Sequence, residues 1–369
     1  MNRKIPIAKP NFGLEETEAV KTVLDSGFLV SGPKTKEFEK DYADYIGVKH
    51  AVAVTNGTTA LDVALKALKV KQGDEVITSA FSFIASGNCI LFQNAKPVFA
   101  DIDPKTFNID PQDVARKVTS KTKVIIPIHM FGQPAKMDDI KEIAENKDIA
   151  IVEDAAQAHG AEYKGQKVGG IGDLGCFSFY ATKNMTAGEG GMVTTNDPKL
   201  AERVRLLINH GQSQKYQHDS LGYNYRMTEF SAALGLVQLK KLDMFNHKRI
   251  ANAQLLSQKI GKISGLTVPF VDKDVKHVFH QYVIKVEDSY PLSRDVLAEQ
   301  LAARGVGVAV HYPIPIYMQQ LYKELGYKQS TCPHTEESCR KVLSLPVHPL
   351  VTKDDIDYIV DALNEATKR

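Results

Sequence analysis

Short apolar runs alternate with amphipathic stretches along the first two thirds of the chain. The runs lie at residues 50–54, 75–78, 97–100, 123–128, 149–152, 176–180 and 192–195. Between them, apolar residues recur at helical spacing, for example at residues 60–68, 137–144 and 200–208. Strands that alternate with helices in this way are typical of βαβ units, so the pattern predicts an α/β fold with a mainly parallel sheet flanked by helices.

The pattern changes after about residue 245. Helices are predicted at 14–26, 35–46 and 228–242 before this point, and at 247–263, 293–304, 334–342 and 354–366 after it. Strands are predicted at 280–286 and 306–311, whereas residues 209–225 are polar and loop-like. We therefore predict a large domain at 14–244 and a smaller C-terminal α/β domain at 245–369, with residues 1–13 joined to it.

Composition narrows the class of protein. With 43% hydrophobic and 24% charged residues the chain is an ordinary globular sequence, and a net charge of +2 gives no electrostatic reason to expect nucleic-acid binding. No apolar run approaches the roughly 20 residues of a membrane span, and no apolar signal segment follows the first residues. Four cysteines are too few for a disulfide framework. These features predict a cytoplasmic protein with reduced thiols and no membrane partner.

Two cysteines and two histidines near the C-terminus raise the question of a metal site. Cys332, His334, Cys339 and His348 are loosely grouped in the sequence. Their spacing matches no compact structural zinc pattern, so free thiols are the preferred interpretation and no metal is predicted.

Asp154 and Lys183 each follow an apolar run closely. Because ligands of open parallel sheets bind beyond the carboxyl ends of the strands, both side chains are expected at one crevice. A carboxylate that holds a pyridine nitrogen protonated and a lysine of lowered pKa are what pyridoxal phosphate requires. The spacing alone is equally compatible with a helix-capping Asp154 and a solvated Lys183.

Gly57, Thr58 and Thr59 lie between a predicted strand and a predicted helix. Free N–H groups and the positive end of the helix dipole make such a turn an anion site. Taken alone, the motif favours a helix capped by Thr58; together with Lys183 it favours a phosphate cradle. Phe83 follows the next strand, where an aromatic ring can stack on a pyridine ring or belong to the core.

Six segments of the sequence resemble one family over nearly the whole chain. They read SGPKTKEFE, NGTTAL, HMFGQPAKMD, EDAAQAHGAEYKG, GDLGCFSFYATKNMTAGEGGMVTTND and GYNYRMTEFSAALG. They are similar to the signatures of the DegT/DnrJ/EryC1/StrS family of nucleotide-sugar aminotransferases, which have pyridoxal-phosphate fold type I. The resemblance implies a large domain with a seven-stranded sheet, with Lys183 as the Schiff-base lysine, Asp154 as the partner of the ring nitrogen and Gln157 beside the ring hydroxyl.

The same resemblance implies roles for other residues of the cofactor site. Ser178 would add a hydroxyl to the phosphate cradle, and Phe83 would stack on the ring. Asn224 would reach the phosphate of the neighbouring subunit's cofactor, which implies a homodimer with shared active sites. The apolar loop 27–33 would line the active site.

Four further residues are candidate substrate contacts. Glu189 lies in a Gly-Glu-Gly-Gly turn and Arg226 follows the polar loop, where it could pair with an acidic sugar or be structural. His311 and Tyr312 precede Pro-Ile-Pro, whose prolines fix the backbone. The pair is compatible with a structural turn, and in several branches of the family the corresponding pair contacts the sugar.

The expected reaction is the transfer of an amino group from L-glutamate to a nucleotide-linked keto-deoxy sugar. Two alternatives remain: a sugar dehydratase, although this class carries histidine at the lysine position, and a catalytically silent regulatory homologue. The Gly-x-Gly-x-x-Gly pattern at residues 170–175 is not a dinucleotide site, because a strand and not a helix is predicted to follow it. His129 and His159 are interpreted as packing or supporting residues.

Overall fold

A computed structural model describes residues 3–327 and 332–367 of the chain. The helices are α1 Leu14–Ser26, α2 Pro33–Ile46, α3 Gly57–Ala67, α4 Ala85–Leu91, α5 Pro111–Lys117, α6 Met137–Glu145, α7 Pro198–Ile208, α8 Glu229–Ile260, α9 Arg294–Ala303, α10 Gln320–Glu324, α11 Pro333–Lys341 and α12 Lys353–Glu365. Short 3-10 turns lie at Met130–Gly132 and Ile316–Met318.

The strands, in chain order, are β1 His50–Val54, β2 Glu75–Ser79, β3 Lys96–Ala100, β4 Thr122–Ile126, β5 Ala150–Asp154, β6 Glu162–Tyr163, β7 Gln166–Lys167, β8 Leu174–Ser178, β9 Gly191–Thr195, β10 Gln212–Gln214, β11 Gln217–His218, β12 Leu266–Thr267, β13 Val275–Lys276, β14 Tyr282–Val286 and β15 Val342–Leu345. Seven of them form the main sheet, in the order β1-β9-β8-β5-β4-β2-β3. Strand β9 runs antiparallel to both of its neighbours, β1 and β8, and the other pairs in this sheet are parallel. The predicted α/β class with a mainly parallel, seven-stranded sheet is confirmed.

Both faces of the main sheet are covered by helices. In β1, Val52 and Val54 pack in one core cluster with residues of α3 and α7. The alternate residues Ala51 and Ala53 pack in a second cluster with residues of α2 and α8. Successive side chains of a strand point to opposite faces, so burial on both faces explains why the strands are continuous apolar runs.

A second core lies in the C-terminal part of the chain. It is built around the antiparallel sheet β12-β14-β15 and includes side chains of α8, α9 and α12. Ile5 from the N-terminal segment belongs to the same cluster, and its backbone forms a bridge with Val306. The N-terminal segment is therefore packed with the C-terminal core.

Helix α8 differs from the sequence prediction. The helices predicted at 228–242 and 247–263 are one continuous helix, Glu229–Ile260. Its N-terminal half packs in a core of the main sheet and its C-terminal half packs in the C-terminal core. The predicted boundary at 244/245 therefore falls inside a helix; the two-domain division remains a prediction, and residues 1–2, 328–331 and 368–369 lie outside the described part of the chain.

Other predicted elements are also corrected. The strand predicted at 306–311 is wrong, because this segment forms only isolated bridges, from Val306 to Ile5 and from Ala309 to Ser344. The polar stretch predicted as a loop contains the hairpin β10–β11. Among the helices of residues 3–327 and 332–367, none is both long and apolar enough to cross a membrane.

Candidate active site

A crevice of about 720 Å³ lies at the carboxyl ends of strands β2, β5 and β8. Parallel register between β5 and β8 places Asp154 beside Cys176, so the segments that follow both strands reach the same edge of the sheet. The predicted site residues that line the crevice are Gly57, Thr58, Thr59, Phe83, Asp154, Gln157, Ser178, Lys183, Glu189, His311 and Tyr312. Asn224 and Arg226 do not line it.

The start of α3 forms one end of the crevice. Asn56, not Thr58, is the N-cap: its side chain accepts a hydrogen bond from the Thr59 N–H at 2.9 Å. The N–H groups of Gly57 and Thr58 have no acceptor among the described residues. Two free N–H groups at the positive end of a helix, with the Ser178 hydroxyl on the same crevice, provide the donors that a phosphate requires.

Close packing at Gly57 explains why this position carries no side chain. A Cβ atom there would lie 2.7 Å from Cβ of Ser178 and 3.3 Å from its Cα. The helix start and the end of β8 therefore approach each other more closely than any residue with a Cβ atom allows. This geometry fits a cradle in which the backbone itself contacts the ligand.

Asp154 is a buried carboxylate with two hydrogen bonds. Its Oδ2 accepts from the Ser86 hydroxyl at 2.8 Å, and its Oδ1 accepts from the Ala156 N–H at 3.2 Å. Burial raises the pKa of Asp154, and these hydrogen bonds and the nearby Lys183 charge oppose that rise. A cationic partner in the crevice would stabilise the ionised form further, which is what a carboxylate facing a pyridinium nitrogen requires.

Lys183 follows β8 in a turn, where its N–H donates to the carbonyl of Tyr180 at 2.9 Å. Its side-chain amine has no hydrogen-bond or ion-pair partner in the part of the chain that the structure describes. Burial in the crevice lowers the pKa of the amine to about 8, and the negative charge of Asp154 opposes this change. An amine of this pKa is neutral, and hence nucleophilic, in a much larger fraction of molecules than an ordinary lysine.

Gln157 and Tyr312 contact each other in the crevice. Nε2 of Gln157 donates to the Tyr312 hydroxyl at 3.2 Å, while Oε1 accepts from the Phe131 N–H at 2.9 Å. The exposed ring of Phe83 lies 6.4 Å from the Tyr312 ring, measured between centroids. His311 is fixed by a 2.9 Å hydrogen bond between its Nδ1 and the Ser344 hydroxyl, and burial lowers the pKa of its ring to about 4.

His159 supports the end of β8 from behind the crevice. Its Nε2 donates to the carbonyl of Ser178 at 2.8 Å, and its Nδ1 accepts from the Tyr42 hydroxyl at 2.9 Å. Burial lowers the pKa of His159 to about 3, so the ring is neutral and its proton stays on Nε2. The ring thus positions Ser178, which precedes the lysine turn, and does not itself line the crevice.

The glycine-rich turn before β8 binds a carboxylate of the protein itself. The N–H groups of Gly169, Ile171 and Gly172 donate to Glu153 at 2.7–2.8 Å. His129 contacts the same carboxylate with its Nε2 at 3.0 Å. These amides are therefore used internally, and strand β8 follows the turn where a dinucleotide site would have a helix.

Asn224 and Arg226 lie outside this crevice. Asn224 is exposed and its backbone forms a bridge with Asn209. Arg226 donates from Nη1 to Oδ1 of the same Asn209 at 2.6 Å. Glu189, in contrast, lines the crevice and is exposed.

Several crevice residues were not found from the sequence. Ser82 and Ser86 lie in the same segment after β2 as Phe83. Their position after the end of a strand is a local pattern from which a place in the crevice could have been predicted. His280 and Gln281 precede a strand of the C-terminal part, and nothing in their spacing relates them to Lys183. Within residues 3–327 and 332–367, no three His, Cys, Asp or Glu side chains come together as a metal site would require.

The sequence matches a protein-family model and many known proteins. Residues 10–364 match the model described as "DegT/DnrJ/EryC1/StrS aminotransferase family". A pleiotropic regulatory protein of Geobacillus stearothermophilus is 41% identical over 93% of this chain and 92% of its own length. The dTDP-3-amino-3,4,6-trideoxy-alpha-D-glucose transaminase of Streptomyces venezuelae is 37% identical over 96% and 93%, and the GDP-perosamine synthase of Caulobacter vibrioides is 38% identical over 98% of both.

Solved structures of sugar aminotransferases share the fold. The crystal structure of S. venezuelae DesV superposes with a TM-score of 0.92, at 37% identity, over 96% of this chain and 95% of that one. The PLP form of a putative sugar aminotransferase from Streptococcus pneumoniae gives a TM-score of 0.93, at 30% identity, over 99% of both chains.

Proposed function

The chain belongs to the DegT/DnrJ/EryC1/StrS aminotransferase family, and we propose that it transfers an amino group from L-glutamate to a nucleotide-linked keto-deoxy sugar. By membership it is a pyridoxal-phosphate-dependent sugar aminotransferase. The proposal rests on one observation: the Lys183 amine and the Asp154 carboxylate line one crevice together with the start of α3, where the N–H groups of Gly57 and Thr58 are free. Two of the relatives are named for dTDP-linked and GDP-linked sugars, which supports a nucleotide sugar as the class of acceptor.

The residues at the start of α3 would hold the cofactor phosphate. The free N–H groups of Gly57 and Thr58 and the Ser178 hydroxyl are the donors in this assignment. Thr59 lines the same end of the crevice, but its hydroxyl donates to the Asn56 carbonyl at 2.8 Å and its N–H donates to the Asn56 side chain. Such an arrangement combines neutral donors with the positive end of a helix dipole, so it binds a dianion without a buried cation.

The ring would lie between the two chemical groups of the crevice. Asp154 would hold its nitrogen protonated, Gln157 would contact its hydroxyl, and Phe83 would stack on its face. Bound pyridoxal phosphate supplies the carbonyl carbon that takes up the amino group and a ring that withdraws electrons from the bond to be broken.

Lys183 would hold the cofactor between reaction cycles and then act as the acid and base. Its amine, with a pKa of about 8, can accept the proton from the donor α-carbon and return a proton on the opposite half-reaction. A pKa close to the working pH allows the same group to serve in both directions. Glu189, His311 and Tyr312 line the crevice and are proposed sugar contacts, with Arg226 as a further candidate.

We also propose a homodimer in which each active site includes residues from both chains. Asn224 is exposed and lies outside the crevice of its own chain, which suits a residue that reaches the phosphate of the neighbouring subunit. The apolar side chains of Phe28, Leu29 and Val30 are exposed in the loop between α1 and α2 and suit a subunit contact. A cytoplasmic location remains part of this proposal.

The two alternative functions, a sugar dehydratase and a catalytically silent regulator, differ in the observations that support them. A sugar dehydratase of this family would carry histidine where this chain has Lys183. A regulatory role is favoured by one observation, the 41% identity with a pleiotropic regulatory protein. All the candidate cofactor contacts except Asn224 line the crevice, which supports turnover instead.

The test is a visible absorption spectrum of the purified protein with pyridoxal phosphate, recorded before and after addition of glutamate. We expect a band from lysine-bound cofactor that converts to the amine form, followed by recovery of the band with a nucleotide keto sugar. Lys183→Ala should abolish the borohydride-reducible adduct, whereas the exposed Lys164→Ala should keep it.

Other results of these experiments would support a different function or a different assembly. A bound cofactor that glutamate leaves unchanged would favour another donor or the dehydratase, and a protein without affinity for the cofactor would favour the regulatory role. Full activity in a monomer, or unchanged cofactor affinity in Asn224→Ala, would overturn the shared-site assignment.

A further inference from the structure

The C-terminal part of the chain forms one wall of the crevice. Two polar side chains in this wall have no hydrogen-bond partner among the described residues. His280 and Gln281 both line the crevice and are 6% and 8% exposed. Neither side chain makes a hydrogen bond to any described residue, and Nδ1 of His280 is sealed from solvent without a partner. Polar groups inside a protein are normally paired, so two adjacent side chains that line a ligand crevice without a protein partner are available to hydrogen-bond a ligand.

A buried arginine lies directly behind these two residues. Arg249 of α8 is 5% exposed, and its Nη1 donates to the carbonyls of Phe279 and His280 at 3.3 and 3.4 Å. Its Nε has no partner, and no carboxylate of the described residues forms an ion pair with it. Burial lowers the pKa of Arg249 to about 10, so the side chain remains charged at neutral pH.

Arg249 therefore places a positive charge behind this wall, and no carboxylate of residues 3–327 and 332–367 is paired with it. An unpaired buried charge is costly, and an anion bound in front of it recovers part of that cost. Among the described residues, three acids line the crevice, and none forms an ion pair with Arg249: Asp62 is paired with Lys66 at 2.6 Å, Asp154 accepts from Ser86, and Glu189 is exposed. Burial lowers the pKa of His280 and keeps its ring neutral, so an incoming carboxylate would be attracted by the charge of Arg249 and would accept a hydrogen bond from His280.

We propose that His280 and Gln281, with Arg249 behind them, bind a carboxylate of the amino-acid donor. The inference rests on the proposed function, since it assumes that a carboxylate-bearing amine enters this crevice. His280 and Gln281 donate the hydrogen bonds directly, and Arg249 is a positioning residue that holds the His280 backbone and supplies the charge. The donor is thereby oriented with its amine toward Lys183 and its carboxylate toward the C-terminal part of the chain.

The test separates donor binding from cofactor binding and from folding. The variants are His280→Ala, His280→Gln, which restores a donor, and Arg249→Met. His277→Ala is the matched control, because His277 lies in the same segment, is also 6% exposed and does not line the crevice. For each protein we would measure the dissociation constants of pyridoxal phosphate and of glutarate, the latter by calorimetry, and the glutamate concentration dependence of the spectral conversion.

We expect His280→Ala and Arg249→Met to weaken glutarate binding and raise the half-saturating glutamate concentration roughly ten- to hundredfold, the range for a lost hydrogen bond to a charged group. Cofactor affinity should stay at the wild-type value, His280→Gln should recover part of the loss, and His277→Ala should match the wild type. Unchanged glutamate dependence in both variants would overturn the inference, and so would a loss of cofactor affinity in His280→Ala. If glutamate fails to convert the wild-type spectrum, the assignment of glutamate as the amino donor is wrong, and the proposed site for its carboxylate is wrong as well.

Discussion

Ser86 donates its hydroxyl hydrogen to Oδ2 of Asp154 over 2.8 Å, and so connects the first turn of α4 to the end of β5. The bond opposes the rise in the pKa of Asp154 that burial causes. We predict that Ser86→Ala raises the pKa of Asp154 further and weakens the proposed pairing of Asp154 with the ring nitrogen of pyridoxal phosphate. A hydrogen bond to a charged group contributes about 1.5–3 kcal/mol, so cofactor affinity should fall roughly ten- to hundredfold.

The control for this prediction is the neighbouring serine. The Ser82 hydroxyl lies 2.9 Å from the Ser86 hydroxyl but makes no hydrogen bond with Asp154, and both serines line the crevice. Ser82→Ala should therefore change cofactor affinity much less, as measured by fluorescence or absorption titration with pyridoxal phosphate. Equal effects of the two substitutions would mean that the hydroxyl of Ser86 does not act through Asp154.

Gly57→Ala should separate the start of α3 from the end of β8. The added Cβ would meet the Ser178 Cβ at 2.7 Å, and the neighbouring backbone leaves little room to relax. Overpacking of this kind costs about 1–3 kcal/mol, and the same displacement would disturb the proposed phosphate donors. We expect a lower urea midpoint together with at least a tenfold loss of cofactor affinity. Gly13→Ala is the control, because its nearest neighbour is the flexible end of Glu15 at 3.2 Å; a Gly57 variant as stable as that control would contradict the packing argument.

The main sheet could be predicted from the sequence because its strands are buried on both faces. The prediction at 50–54 coincides with β1, and the helix predicted at 14–26 coincides with α1, which ends at Gly27 in the left-handed conformation. Continuous apolar runs and a glycine after a helix are local signals. The predicted crevice residues of the N-terminal part follow from the same signals, since they come directly after strands.

Features that depend on distant contacts could not be predicted. The sequence predicts two helices where α8 is one continuous helix, because the buried face of α8 changes from one core to the other near Asn246. That polar residue is buried there, where it donates to the carbonyl of His159 at 2.8 Å and accepts from Asn184. Similarly, His280 reaches the crevice only through the packing of the C-terminal part, which no local pattern encodes.

Stability should fall as the pH is lowered, because several histidines are buried in neutral form. Burial lowers the pKa of His159 and His277 to about 3 and that of His311 and His348 to about 4. Between these values and the ordinary 6.5, the unfolded chain binds more protons than the folded one, so the free energy of unfolding decreases as pH falls through this window. Burial lowers the pKa of His280 as well, and five such groups give a slope of up to about 7 kcal/mol per pH unit.

Urea unfolding at a series of pH values between 7 and 4 would measure this slope. His277→Asn should remove the contribution of one proton from the slope, which lowers the slope by roughly 1.4 kcal/mol per pH unit. His247 is exposed, so its ring contacts water in both states, and His247→Asn should leave the slope unchanged. A slope in the His277 variant equal to that of the wild type would show that this ring is not buried in neutral form.

Glu229 fixes the loop that carries the exposed apolar residues before α2. Its carboxylate accepts hydrogen bonds from the N–H groups of Gly32, Lys34 and Thr35 at 2.8–2.9 Å, and its own N–H donates to the Leu29 carbonyl at 3.2 Å. The start of α2 is therefore capped by a side chain of α8 rather than by a residue of its own loop. This loop is the one assigned to the active site and the subunit contact, so its conformation depends on a single buried carboxylate.

Glu229→Gln should release this loop without unfolding the protein. An amide can accept through only one oxygen, and its NH₂ group would face a backbone N–H, so about 1.5–3 kcal/mol of local stabilisation is lost. Hydrogen exchange of the Gly32, Lys34 and Thr35 amides should then accelerate roughly ten- to hundredfold. Glu39→Gln changes another buried carboxylate, which accepts from the Ala53 N–H and from Arg205 and does not contact the loop. If both variants accelerate exchange at these amides equally, the effect is a general loss of stability; if only Glu229→Gln does, the loop is held by α8.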